Sequence, residues 1–196
     1  METSGLRERK KLKTATTIEE KALRLFSERG YDATTVDDIA AAADVAPRTF
    51  FRYFPTKEDV VLGHYAERMA LLGRALAGRP HDEPAITAVR HAYAEVARDF
   101  ESKREGVLQR ALLIATKPSL RARNLELQIR WERVIAEAVA PRLGVGIDDP
   151  RVVLLSACAV TAMRVSLETW VAEGGTSSLP ERLDRSLDLI ERGLGR

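Results

Sequence analysis

Residues 34–57, TTVDDIAAAADVAPRTFFRYFPTK, constrain this chain more than any other stretch. Thr35 suits an N-cap, and Asp38 at the third helical position complements the helix dipole. A short helix is therefore expected over 36–43, with Ile39 and Ala40 facing inward. Asp44 suits the turn, because Asp enters the left-handed region more readily than most non-glycine residues. Val45 then anchors the turn in a small core. Pro47 fits a first helical position, where its missing N–H costs nothing, so the next helix spans 47–54. Pro55 ends it, and Thr56 with Asp59 caps the helix that follows. The second short helix carries Arg48, Thr49, Arg52 and Tyr53 on its outer side, while Phe50 and Phe54 face inward. Two helices so joined make a helix-turn-helix, a device that lays one helix in the DNA major groove.

The formal net charge is only +2, so any nucleic-acid reading must rest on where charge sits rather than on its total. Arg7, Arg9, Lys10, Lys11 and Lys13 stand against Glu2 and Glu8, which gives a basic arm over 1–15. Such a segment is expected to be flexible until it meets a polyanion, or to be no more than a solvated tail. The single cysteine, Cys158, allows no internal disulfide and fits a reduced, cytoplasmic setting. The charged start has no signal-peptide core. No apolar run is expected to reach the length of a membrane span, since Ser156, Thr161 and Arg164 interrupt 152–165.

Helical spacing organises the rest. A first helix is expected from Thr16 or Thr17 to Arg29, with Ile18, Ala22, Leu25 and Phe26 on one face. Thr17 and Glu20 form its capping box and Gly30 its stop. One long helix is expected from Lys57 to about Ala77, linking the reader to a larger body. Further helices are expected over 85–102, 105–115, 119–140 (capped by Ser119), 150–172 and 180–193. The fold class is all-α with about nine helices. An arm over 1–15 and a three-helix DNA-binding domain over 16–56 precede a ligand-binding and dimerisation domain over 57–196.

Residues 18–65 resemble the DNA-binding domain of the TetR family of bacterial regulators. The likeness is carried by ALRLFSERGYDATTVDDIA and VAPRTFFRYFPTKEDV, in which the Gly30-Tyr31 break, Thr34-Thr35, the 50–54 aromatic block and Lys57 occur in order. The remaining body is faintly similar to mycofactocin-type regulators, whose C-terminal domains are associated with acyl-CoA-like ligands. The resemblance implies that Thr35 faces phosphate at a helix N-terminus. It places Arg48, Thr49 and Arg52 on the exposed side of the recognition helix, with Arg48 at a guanine edge. Tyr53 and Lys57 become phosphate contacts that fix register. Phe51 lies on the same surface, but where Tyr is common in the family, so one phosphate hydrogen bond is missing. Ala46 replaces the usual Ser or Thr cap, a loss of roughly 0.5–2 kcal/mol. Asp37 and Asp38 bring negative charge near the reader.

In the body, Arg164 on an otherwise apolar helix needs a partner if buried, either an acidic side chain or an anionic ligand group. Phe100, Leu112, Gln128, Trp131 and Met163 are candidate walls of an apolar pocket beside it. Ordinary core packing accounts for each of them singly. His91 and Glu95 are four apart, which reads as a surface pair more readily than as a metal or acid–base site. No Gly-rich phosphate loop and no nucleophile–base motif is visible, so no catalytic residue, metal or cofactor is expected. The segments 150–172 and 180–193 are apolar on more than one face, as helices of a homodimer interface would be. The sequence thus points to a regulator, a repressor released from a palindromic operator by a small, largely apolar effector, with an acyl-CoA-like molecule as one form. Two alternatives stay open: a helical sensor or carrier with weak DNA binding, and a helical-bundle enzyme.

Overall fold

The computed structural model describes the backbone of residues 2–193 and the side chains of residues 13–63 and 65–193. Among these, all regular secondary structure is helical, in ten α-helices, and the chain divides into two compact units. One takes in the chain up to Gly63 together with Leu113–Leu120. The other takes in His64–Leu112 and the chain from Arg121 onward. The boundary expected after residue 56 therefore falls at Gly63, and a distant segment joins the smaller unit.

The smaller unit begins with α1, Glu2–Arg29. A flexible arm followed by a separate helix was the expectation for this stretch; the backbone is instead one continuous helix from Glu2. No proline interrupts it, and Thr17 does not cap: its hydroxyl donates back to the Lys13 carbonyl at 3.0 Å, as an interior helical threonine does. The side chains of Arg7, Arg9, Lys10 and Lys11 lie outside the described residues. Helix α2, Val36–Ala42, is closed by the Thr35–Asp38 capping box, and Asp44 adopts φ 54° in the turn that follows. Helix α3, Pro47–Tyr53, starts at Ala46 without a side-chain cap.

Helix α4, Lys57–Val61, carries the Thr56–Asp59 capping box, but it ends after five residues. The single helix expected over 57–77 is thus two helices, α4 and α5, His64–Ala77. Gly63 stands at the break. A Cβ there would lie 2.1 Å from Glu19 Oε1 and 3.0 Å from Phe54 Cε1, so a larger residue would have to push the Glu19 carboxyl aside. The unit's core joins Ile18, Phe26, Ile39, Phe50 and Val60 to Leu120, all buried. Lys117 Nζ holds Asp32 at 2.6 Å within the same unit.

The larger unit comprises α5, α6 (Ala85–Ser102) and parts of α7 (Arg104–Thr116) and α8 (Pro118–Leu143), followed by α9 (Pro150–Ala172) and α10 (Leu179–Arg192). Ser119 is not the cap of α8: the helix begins one residue earlier and runs through Pro141 to Leu143. Asp149 caps α9 by accepting from the Arg151 amide at 2.9 Å. Leu72, Val89, Tyr93, Ile135, Val152, Trp170 and Leu183 are all buried in one core. The i, i+3, i+4 apolar spacing of α6 meets the face of α10 that carries Leu183 and Leu187. Arg90 of α6 fastens the pair by hydrogen bonds to Asp184, Asp188 (2.8 Å) and Glu191 (2.9 Å) of α10.

Helix α9 corrects one expectation. At 23 residues it is, by length and composition alone, apolar enough to cross a membrane, because Ser156, Thr161 and Arg164 are too few to interrupt it. A buried core helix passes the same test, and Val152, Ala159, Ala162, Met163 and Trp170 place one face of α9 in the core.

Candidate nucleic-acid interface

The recognition surface is built on α3, only seven residues long and therefore dependent on its packing for position. Phe50 is completely buried and Phe54 nearly so, with ring centroids 5.9 Å apart. Locking these two inward turns Arg48 and Arg52 outward into solvent and leaves Thr49 and Tyr53 half-buried at the margins. Phe51 is 52% exposed and packs edge-on against Phe50 at 5.5 Å. Arg52 is steadied by its neighbour: its Nη2 donates to Tyr53 Oη at 3.5 Å, and its guanidinium carbon lies 5.1 Å from the ring centre. The arrangement offers two guanidinium groups, with Thr49 at the margin, from a helix whose rotation is fixed from behind.

The N-terminus of α2 is organised differently from the simple phosphate seat the sequence suggests. The Thr35 amide donates to Asp38 Oδ2 at 2.8 Å, its hydroxyl to the same oxygen at 2.6 Å, and the Asp38 amide to Thr35 Oγ1 at 3.1 Å. These bonds hold the Asp38 carboxyl below the ordinary aspartate range, and Arg29 lies 3.9 Å away. Asp38 is thus a partly neutralised structural cap, which leaves Asp37 as the exposed negative charge of the pair.

Lys57 also has a structural task that its position in sequence did not reveal. Its ammonium donates to the carbonyls of Tyr31 at 2.8 Å and Thr34 at 3.0 Å, and sits 4.2 Å from the centre of the Tyr31 ring. Two of its three donors are thereby spent on the α1–α2 connection.

The larger unit distributes the expected ligand residues unevenly. Trp131 is buried, with Tyr65 edge-on at 5.4 Å and Tyr93 stacked at 6.2 Å. Met163 shares that core, and Phe100 packs against it. Gln128 is half-buried. Leu112 is 66% exposed and lines no described cavity. Arg164 is not buried: its side chain is 39% exposed, and of the two partners expected for it the acidic side chain is present, Glu168 of its own helix at 3.0 Å. The buried arginine of this unit is Arg68, which the sequence reading missed. Its Nε donates to Asp99 at 2.9 Å and its guanidinium carbon lies 4.0 Å from the Phe100 ring centre. Lys103 bonds the other oxygen of Asp99 at 2.8 Å. His91 turns not to Glu95 but to Glu83, at 3.1 Å. The hydrogen bond from Arg79, helped by His91, pulls the Glu83 carboxyl down to about 2. A cavity of about 600 Å³ does occur, between α5 and α8, and none of the six expected residues lines it.

Two family matches lie one after the other along the chain. The family described as bacterial regulatory proteins, tetR family, matches residues 18–63, and the family described as the MftR C-terminal domain matches residues 83–195. The regulator TcmR of Streptomyces glaucescens is 36% identical over 197 residues, spanning 95% of this chain and 86% of its own. MftR of Mycobacterium tuberculosis, named for mycofactocin biosynthesis, is 32% identical over 184 residues, 91% of this chain and 90% of its own. Among solved structures, Thermus thermophilus FadR, a TetR-family repressor in complex with lauroyl-CoA, aligns with a TM-score of 0.62 at 27% identity, covering 92% of this chain and 94% of that one. Bacillus subtilis FadR in complex with stearoyl-CoA aligns with a TM-score of 0.63 over 89% of this chain and 96% of that one; at 18% identity it speaks to the fold alone.

Proposed function

The chain belongs to the TetR family of bacterial transcriptional regulators, and from that premise we propose that it acts in the cytoplasm as a homodimeric repressor of a palindromic operator. The observation that carries this reading is the outward pair Arg48 and Arg52 on a helix fixed from behind by Phe50 and Phe54. Helix α3 enters the major groove, Arg48 reads a guanine edge, and Thr49 and Arg52 contact neighbouring base edges or phosphates. Tyr53 contributes a phosphate contact from the margin, and the rim of Phe51 meets the groove wall. Thr35 brings the start of α2 to the backbone, while Lys57 has one donor left for the same purpose.

Dimerisation is supported by apolar side chains that α9 and α10 leave exposed: Val153, Leu154 and Val165 on the first and Leu189 on the second. A palindromic operator presents its two half-sites to such a dimer about 34 Å apart, one turn of the duplex. The effector is a small, largely apolar molecule; the lauroyl-CoA of the Thermus structure supports an acyl-CoA-like one. Whatever its identity, it weakens operator binding only by its preference for the released state.

Arg48→Ala tests the assignment. Operator affinity should fall by about 1–3 kcal/mol, with discrimination relaxed at one base pair of each half-site. Binding to a set of operator variants, each changed at one position, reads both effects. A uniform loss across all variants would reduce Arg48 to a phosphate contact.

A further inference from the structure

The cavity between α5 and α8 belongs wholly to the larger unit. Its α5 wall is low, made by Ala66, Ala70, Gly73 and Ala77, and Val134 and Ala138 face it from α8. Gly73 is the informative residue. Glycine is among the least favourable residues for a helix interior, and here neither backbone nor packing requires it. Its φ lies outside the left-handed range, and the nearest atom to an added Cβ would be Val134 Cγ1 at 3.8 Å, an ordinary contact. What a side chain at 73 would do is fill the groove. The groove follows α5 from residue 66 to residue 77, about 16 Å at the helical rise.

Its two ends differ in charge. At the far end stand His81 and Arg142. Arg142 is held in place by its own hydrogen bonds, to the Ala138 carbonyl at 2.7 Å and the Leu76 and Arg79 carbonyls at 3.2 Å. Among the described residues no carboxylate pairs with it, and Glu137, which also lines the cavity, is paired with Arg133 at 3.0 Å. The opposite end, around Ala66 and Met69, is apolar. An apolar trough with Arg142 and His81 at one end is complementary to an elongated acyl anion.

We infer that this groove holds the chain of an acyl anion, tail toward Ala66 and head at Arg142 and His81. The inference rests on the reading of the protein as an effector-controlled regulator, and it places the effector away from Phe100, Trp131 and Met163. It predicts that the intact wild-type protein binds dodecanoate, measured by titration calorimetry, and binds the uncharged dodecanol more weakly. Gly73→Phe should weaken dodecanoate binding at least about tenfold, while Gly73→Ala, which leaves most of the trough open, changes it little. Melting curves establish that both variants fold. A dodecanoate carrying a photoreactive diazirine on its chain supplies a measurement on the unmutated protein, with label expected on peptides covering 66–77 and 134–142.

Equal binding by wild type and Gly73→Phe, or label on α6 or α9 instead, overturns the groove assignment. The regulatory reading would survive that outcome if dodecanoyl-CoA still released operator DNA. Absence of any dodecanoate binding to the wild type also overturns the assignment, and leaves operator binding to be judged by its own assay. A Gly73→Phe protein with normal acyl binding but altered mass by light scattering would give the groove to a second protein chain, again against the inference.

Discussion

Phe50→Ala is expected to cost the DNA-reading unit about 3–5 kcal/mol, the range for truncating a fully buried aromatic side chain. The ring has no exposed surface and touches both Phe51 and Phe54. Helix α3 has little else to hold it. It has seven residues, far below the length at which a helix stands alone, and Ala46 gives it no side-chain cap. A small unit with a stability of a few kcal/mol cannot absorb such a loss. Operator binding should therefore disappear at temperatures where the larger unit still gives a helical signal. Circular dichroism in urea, read alongside operator retention, checks both halves. If the variant keeps its denaturation midpoint and binds DNA, α3 is not fixed in the way described.

Lys57→Met separates two accounts of one residue. Were Lys57 only a phosphate contact, the variant would keep its stability, lose affinity evenly across sequences and flatten the salt dependence by about one unit. The observed geometry predicts something else. The ammonium bonds the Tyr31 and Thr34 carbonyls and lies over the Tyr31 ring. Tyr31 and Thr34 are both buried, so methionine would keep the alkyl packing but take the ammonium from the Thr34 carbonyl and leave the Tyr31 carbonyl only its long 3.4 Å bond from the Thr34 amide. Charge-assisted bonds of this kind, with the ring contact, come to roughly 2–4 kcal/mol. Urea denaturation of the variant should show that loss without any DNA present. An unchanged midpoint with a flattened salt slope would return Lys57 to the phosphate role.

These two residues also mark what could be read from sequence. Phe50 was legible because its burial follows from helical period and from its neighbour Phe54. The same holds for the Thr35–Asp38 and Thr56–Asp59 caps and for the left-handed Asp44, each decided within a few residues of chain. Local rules also gave α6 and α9 their limits. Several of the features that were missed depend on residues far apart in sequence. At the α4–α5 break Gly63 lies close to Glu19, a residue of α1. Leu120 joins the reader's core from the far side of the chain, and no periodicity announces that. Lys57 could be paired with two carbonyls only once their positions were known. Arg164 stood out as an arginine in an apolar run, yet Glu168 one turn later satisfies it at the surface; Arg68, in a more polar stretch, is the one that is buried.

The most direct measurement is binding of the full-length protein to the intergenic DNA beside its own gene, followed across a salt series with a scrambled fragment as control. The account predicts one dimer per palindromic site, a large preference over the scrambled DNA at every salt, and a steep fall of affinity with salt as phosphate contacts release counterions. Weak binding of equal strength to both fragments would contradict it, and would make the protein a helical ligand sensor whose DNA-reading helix no longer discriminates sequence.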